Sequence, residues 1–188
     1  MAAEPLKLLL SRSAFDHSAL AVVALLTAAI PHVPALAQDH ADEFCRRVGR
    51  NQAIFEMPLL PGGASAAAGE TSGAYTCVWV FERGNGEIYN VRLDSKPLAS
   101  EAAARQAILL ARLPENRRGK TVEPLPKLGD DGLSRATVEN GAITLFELEA
   151  VKSRRHFLLT VRPLPGKDVN YRVSAASINF LGSGISGL

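Results

Sequence analysis

The strongest constraint on the fold is a series of short β-forming segments separated by tight-turn signals. Tyr75–Phe81 (YTCVWVF) is almost wholly apolar and rich in aromatic and β-branched residues, so it reads as a central strand. Side chains alternate across a strand, which puts Tyr75, Cys77, Trp79 and Phe81 on one face. Gly84-Asn85-Gly86 supplies the positive φ angles of a tight hairpin. Glu87–Leu93 then returns with Tyr89, Val91 and Leu93 on one face. Three further strands are expected after the Leu128–Gly132 turn: Ser134–Val138, Ala142–Val151 across the Asn140-Gly141 hairpin signal, and Arg155–Arg162 after a Lys152-Ser153-Arg154 turn.

Helical segments flank these hairpins. Gln38–Met57 carries apolar Phe44 and Val48 against a wet face of Arg46, Arg47 and Arg50, and Gly49 is the place where such a helix would break. Ser100 is placed to cap Glu101–Leu113, whose stripe of Ala104, Ala107, Ile108 and Ala111 is apolar and small. Tyr171–Leu181 can form a last helix, with fraying expected from Gly182 onward. Pro58–Ala74, rich in Pro, Gly, Ala and Ser, reads as a mobile surface loop. The expected fold class is therefore α+β, with a mainly antiparallel sheet of about five strands in the order α-β-β-α-β-β-β-α and helices packed on the sheet.

The N-terminus sets the compartment. Lys7 and Arg12 precede an unbroken apolar run, Ala19–Ile30, of about 12 residues, followed by Pro31, Pro34 and the small-x-small tripeptide Ala35-Leu36-Ala37. A bilayer needs roughly 20 apolar residues, so this stretch reads as a cleavable signal peptide over 1–37, leaving one domain over 38–188. An uncleaved anchor and a buried core helix are the alternatives. The expected destination is periplasmic or secreted, with no stable membrane insertion after cleavage. In an oxidising compartment the two cysteines, Cys45 and Cys77, are most simply a disulfide closing a loop of about 30 residues. A redox pair would usually be C-x-x-C, and a metal site would need more ligands.

A cysteine in the first helix, the Cys77-Val78-Trp79 strand, a hairpin, an Ala-rich helix, the Leu128-Gly129-Asp130 turn, a β-meander and a closing helix together resemble certain small exported domains of unknown function, best represented among actinobacterial lipoproteins. That resemblance implies a sandwich similar to the photosystem accessory (PsbP-like) fold. It brings no catalytic residues, and this chain departs from it in lacking a lipobox cysteine.

The function classes narrow by what the residues can do. A net charge of +2 is too small for an electrostatic nucleic-acid binder. No G-x-S-x-G elbow accompanies His40 or His156, and the adjacent Asp130 and Asp131 diverge as a polar turn does rather than spacing calcium ligands. No catalytic, metal or cofactor site is expected. Glu147 and Glu149 share a strand face roughly 6–7 Å apart, from a rise near 3.3 Å per residue, which keeps a carboxylate-based hydrolase of envelope polymers as the alternative. The leading expectation is a non-enzymatic binding or accessory protein of the envelope. Its basic clusters, Arg46/Arg47/Arg50, Arg117/Arg118/Lys120 and Lys152/Arg154/Arg155, would meet an anionic envelope component or an acidic protein if they converge.

Overall fold

The computed structural model describes residues 35–84, 86–114 and 119–188. The body of the expected signal peptide, Asn85, and Arg117 and Arg118 of the basic clusters lie outside them. No helix among the described residues is long and apolar enough to cross a membrane.

Helix α1 (Ala35–Val48) passes into a 3-10 segment (Gly49–Phe55) and is followed by strands β1 (Leu59–Ala68), β2 (Tyr75–Arg83) and β3 (Glu87–Pro97). Helix α2 (Glu101–Ala111), strands β4 (Lys120–Pro124), β5 (Asp131–Glu139), β6 (Ala142–Lys152) and β7 (Arg155–Pro163), and helix α3 (Tyr171–Ser186) complete the order. The strands form one sheet of seven, β1-β2-β3-β7-β6-β5-β4. Every pair of neighbours is antiparallel. The α+β class and the antiparallel sheet follow the expectation, but the count of about five strands and the element order do not. Both additional strands, β1 and β4, are sheet edges.

β1 replaces the loop expected over Pro58–Ala74. Its Ala, Gly and Ser residues have little strand propensity of their own. Pairing with β2, from Ala64 opposite Trp79 to Ala68 opposite Tyr75, holds it in place, with a register shift where Pro61-Gly62-Gly63 bulges out. Its small side chains let α1 close over it, and Gln38 Nε2 donates to the Ala66 carbonyl at 2.9 Å. β4 replaces part of the basic connection before Leu128. It is five residues long, ends in Pro124 and pairs only with β5, the short profile that suits a sheet edge.

One face of the sheet carries the main core: Cys77, Trp79, Phe81, Tyr89, Val91, Leu93, Leu148, Phe157, Leu159 and Val161, covered by α1, the 3-10 segment and α3. Phe55 packs against Phe81 and Phe180 at ring-centroid distances of 4.7 and 5.2 Å, and Trp79 meets Phe180 edge-on at 5.1 Å. The opposite face is covered at one corner by α2, where Ala104, Ile108 and Ala111 bury against Leu133 and Val151. Ser100 caps α2 as expected, its Oγ accepting from Ala103 N at 3.1 Å.

Two close approaches fix how the helices sit. α1 gives way to the 3-10 turn at Gly49, where a Cβ would stand 3.0 Å from Trp79 Nε1. α3 runs through the segment expected to fray, because Gly184 and Ile185 are buried. A Cβ on Gly184 would lie 2.7 Å from Val48 Cγ1, so the glycine that weakens a helix in isolation lets α3 pack onto α1.

Cys45 and Cys77 are disulfide-bonded, Cα to Cα 5.5 Å and 32 residues apart. The bond joins α1 to β2 and encloses β1. Chain-entropy arithmetic for such a loop gives roughly 3–4 kcal/mol.

Candidate functional site

Two charged regions were legible in the sequence, and the fold treats them differently. The first is the carboxylate pair. Alternation along β6 places Glu147 and Glu149 on the face opposite the main core. The register sets Arg135 of β5 directly across from Glu147. Both glutamates are only 8% exposed. Lys120 Nζ of β4 lies 2.6 Å from Glu147 Oε2, with Arg135 Nε 3.7 Å from the same oxygen. Arg135 Nη2 reaches Glu149 Oε2 at 2.7 Å, and His156 Nε2 of β7 reaches Glu149 Oε1 at 2.7 Å. The result is a ladder of alternating charge that ends on the His156 ring and crosses four strands. Burial pushes the Glu149 carboxyl upward, but the hydrogen bond from His156 and the charge of Arg135 outweigh it and hold the group below its ordinary range.

A carboxylate hydrolase needs one of its pair protonated to serve as the acid. Glu149 is held ionised and Glu147 is covered by Lys120. Neither carboxylate lines the grooves beside α1, α2, α3 or the β6–β7 turn.

Among the described residues the basic side chains of the three clusters are dispersed. Lys120 is spent on Glu147, at the β4 edge and on the face away from α1. Arg46 and Arg50 stand above the β1 edge, six strand spacings of ~4.8 Å away, or roughly 29 Å. Lys152 pairs with Asp130 at 3.2 Å, and Asp130 also accepts from the backbone N–H of Ser153, the main cause of its lowered pKa. Asp131 turns away to Arg112 at 2.6 Å. Among the described residues no cluster of three or more His, Cys, Asp or Glu is placed to hold a metal ion.

Arg155 is a structural cation. Its guanidinium stands 5.4 Å from the ring centroids of both Phe44 and Tyr75 and donates to Gly73 O and Ser95 Oγ at 2.9 Å. Burial lowers its pKa. Arg154 is exposed at the β6–β7 turn. Arg47 donates to Gly187 O at 2.8 Å, tying the C-terminus to α1. His40 is exposed on α1.

Arg46 and Arg50 remain together. They flank a groove of about 460 Å³ between α1 with its 3-10 extension and β1. Asp42, Gln52, Leu59, Ala64 and Ser65 line the walls, and Trp79 forms the floor. Arg46 carries an exposed ion pair to Glu43 one helical turn back. Arg50 has no ion-pair or hydrogen-bond partner among the described residues, so its charge is free to meet something else. The groove keeps its shape because the disulfide fixes Cys45, on its helical wall, to Cys77, next to Trp79 on the same sheet face.

Of this site the sequence pointed to Arg46 and Arg50 through the wet face of the first helix. Gln52, Ser65 and Trp79 escaped it, because Ser65 was assigned to a loop and Trp79 to the core. The combination that could have flagged them is a single Trp on the strand that also bears the disulfide, with Gly49 able to approach it. Comparisons with protein-family models, curated proteins and solved structures find no match for this chain.

Proposed function

We propose that the protein is an exported, non-enzymatic binding or accessory protein of the cell envelope, and that it takes an anionic envelope component or an acidic protein on the arginine-bearing surface of α1 and the 3-10 segment. The observation that carries this reading is the pairing of Arg46 with Arg50, which has no partner among the described residues, on the rim of one groove, on a helix covalently clamped to the sheet. A cation without an internal partner has kept its hydration and its capacity to attract, whereas Lys120, Lys152 and Arg155 have given theirs to the fold. The ionised, cation-covered state of Glu149 weighs against the hydrolase alternative. Export rests on the N-terminal signal pattern, and a disulfide agrees with an oxidising compartment. The PsbP-like resemblance belongs to the same reading and rests on the sequence motifs alone.

The test is a pull-down from envelope extract with the wild-type protein and with Arg46→Glu/Arg50→Glu. Loss of the recovered partner on charge reversal supports the reading. Equal recovery by both proteins removes this surface from it.

A further inference from the structure

We propose that the groove between α1 and β1 is a binding site for a small anionic amphiphile, a carboxylate or phosphate carried on a short apolar chain. The inference rests on the binding-protein reading and names a ligand where that reading names a surface.

The donor set selects the charge. Arg46, Arg50, Gln52 and Trp79 bring N–H donors to the lining, against one obligate acceptor, Asp42. Asp42 already accepts from Gln38 Nε2 at 3.0 Å. The Arg46–Glu43 pair is solvent-exposed and therefore easily exchanged for a ligand anion.

Trp79 supplies an independent pointer to a ligand. The residue is only 4% exposed and its indole N–H donates to no described group, yet that nitrogen is not sealed off as Arg112 Nε, Arg135 Nε and Thr137 Oγ1 are: it reaches solvent where the residue lines the groove. An N–H left open there is available to a ligand acceptor. The close approach of Gly49 puts a residue without a side chain beside that nitrogen, and both residues line the groove. The apolar strand side chains along the other wall suit a hydrocarbon stem.

A small ligand fits better than an added β-strand. Gly69 N donates to Ala74 O at 2.7 Å, which makes that pair hydrogen-bonded. By alternation Ala64, Ala66 and Ala68 turn their backbone groups outward. The outward carbonyl of Ala66 is already taken by Gln38, so a peptide strand laid along this edge would meet a blocked acceptor. A volume of about 460 Å³ falls within the roughly 300–1,000 Å³ of small-molecule sites.

The experiment uses the oxidised mature protein and its single tryptophan, which lies at the site. Octanoate and octyl phosphate, each below its micelle concentration, are titrated while Trp79 emission is followed, with octylammonium as the charge control. The expected result is a saturable spectral change with at least one anion, none with the ammonium, and affinity weakened about tenfold or more in Arg50→Glu but largely kept in Arg50→Lys. Whichever anion binds more tightly identifies carboxylate or phosphate as the native headgroup. Ala64→Phe, opposite Trp79 on the groove face, should block the change, and its circular dichroism spectrum and melting temperature separate blockage from misfolding. No saturable response to either anion, or an equal response to the ammonium, overturns the inference. If the envelope pull-down still depends on Arg46 and Arg50 in that case, the surface reading survives without the groove. A saturable titration with a charge-independent pull-down keeps the groove and removes the envelope partner.

Discussion

The two charged regions on opposite faces of the sheet are built from the same residue types and differ in where their charges end. The Lys120–Glu147–Arg135–Glu149–His156 ladder closes on itself: Glu147 touches two cations, Glu149 touches Arg135 and the His156 ring, and both carboxylates are nearly buried. The α1–β1 rim stays open: Arg50 has no partner among the described residues, Arg46 has one weak, exposed pair, and the indole N–H beneath them donates to nothing described. A charge satisfied inside the fold contributes to specificity or stability and is costly to disturb. A charge left at a concave surface adds little to stability and can be mutated freely unless something binds there. Sequence proximity to other charges does not separate the two cases. Strand register does.

The largest effect expected from this contrast is at Arg135, whose side chain is 11% exposed between two carboxylates. Arg135→Met should destabilise the protein by about 3–5 kcal/mol in urea unfolding, the range for leaving buried charges unpaired. Adding Glu147→Gln and Glu149→Gln should recover much of the loss. A single-mutant loss under ~1 kcal/mol would show that the ladder is more hydrated than its geometry implies.

The disulfide comes next. Cys45→Ser with Cys77→Ser should cost roughly 3–4 kcal/mol by loop-closure entropy, read from denaturation midpoints of the variant beside the oxidised parent. It should also weaken ligand response at the groove while leaving the ladder's acid sensitivity unchanged, since only the groove spans the bond.

A smaller effect should come from acid. Glu149, beside Arg135 and His156, has a folded-state pKa below its unfolded value, so its contribution is fully present above the ordinary carboxylate pKa of about 4.3 and is lost as pH falls through the lower folded value. Stability measured from pH 6 downward should fall less steeply in Glu149→Gln than in wild type. Identical slopes would place the acid-labile group elsewhere.

The smallest stability change belongs to Arg50→Glu, expected within ~0.5 kcal/mol of wild type because the residue is exposed and has no partner among the described residues. The comparison is sharpest if this variant melts normally and no longer binds. A large stability loss would mean that Arg50 serves the fold, as Arg155 does.

How much was legible depends on what holds each element. β2, β3, β6 and β7 have their own alternating apolar residues and turn signals, and α2 its cap at Ser100, so local chemistry suffices to place them within a few residues. β1 has neither; an Ala- and Gly-rich segment becomes a strand only because β2 offers a ladder and α1 a cover. The same holds for the last turn of α3, where Gly184 is unfavourable locally and required by contact with Val48. At the candidate site, Arg46 and Arg50 show through the helical pattern, while Ser65 and Trp79 join them only once β1 is docked.

The amino-acid order by itself determined the basic-then-apolar N-terminal pattern, the α+β class, the hairpins and the only two cysteines available to pair. All of these follow from local propensity, periodicity or composition. Tertiary structure alone decided which charges are free. Whether a lysine or arginine meets a carboxylate depends on register between strands distant in sequence, and whether a tryptophan nitrogen lacks an acceptor depends on a helix closing over a strand that has no signal of its own.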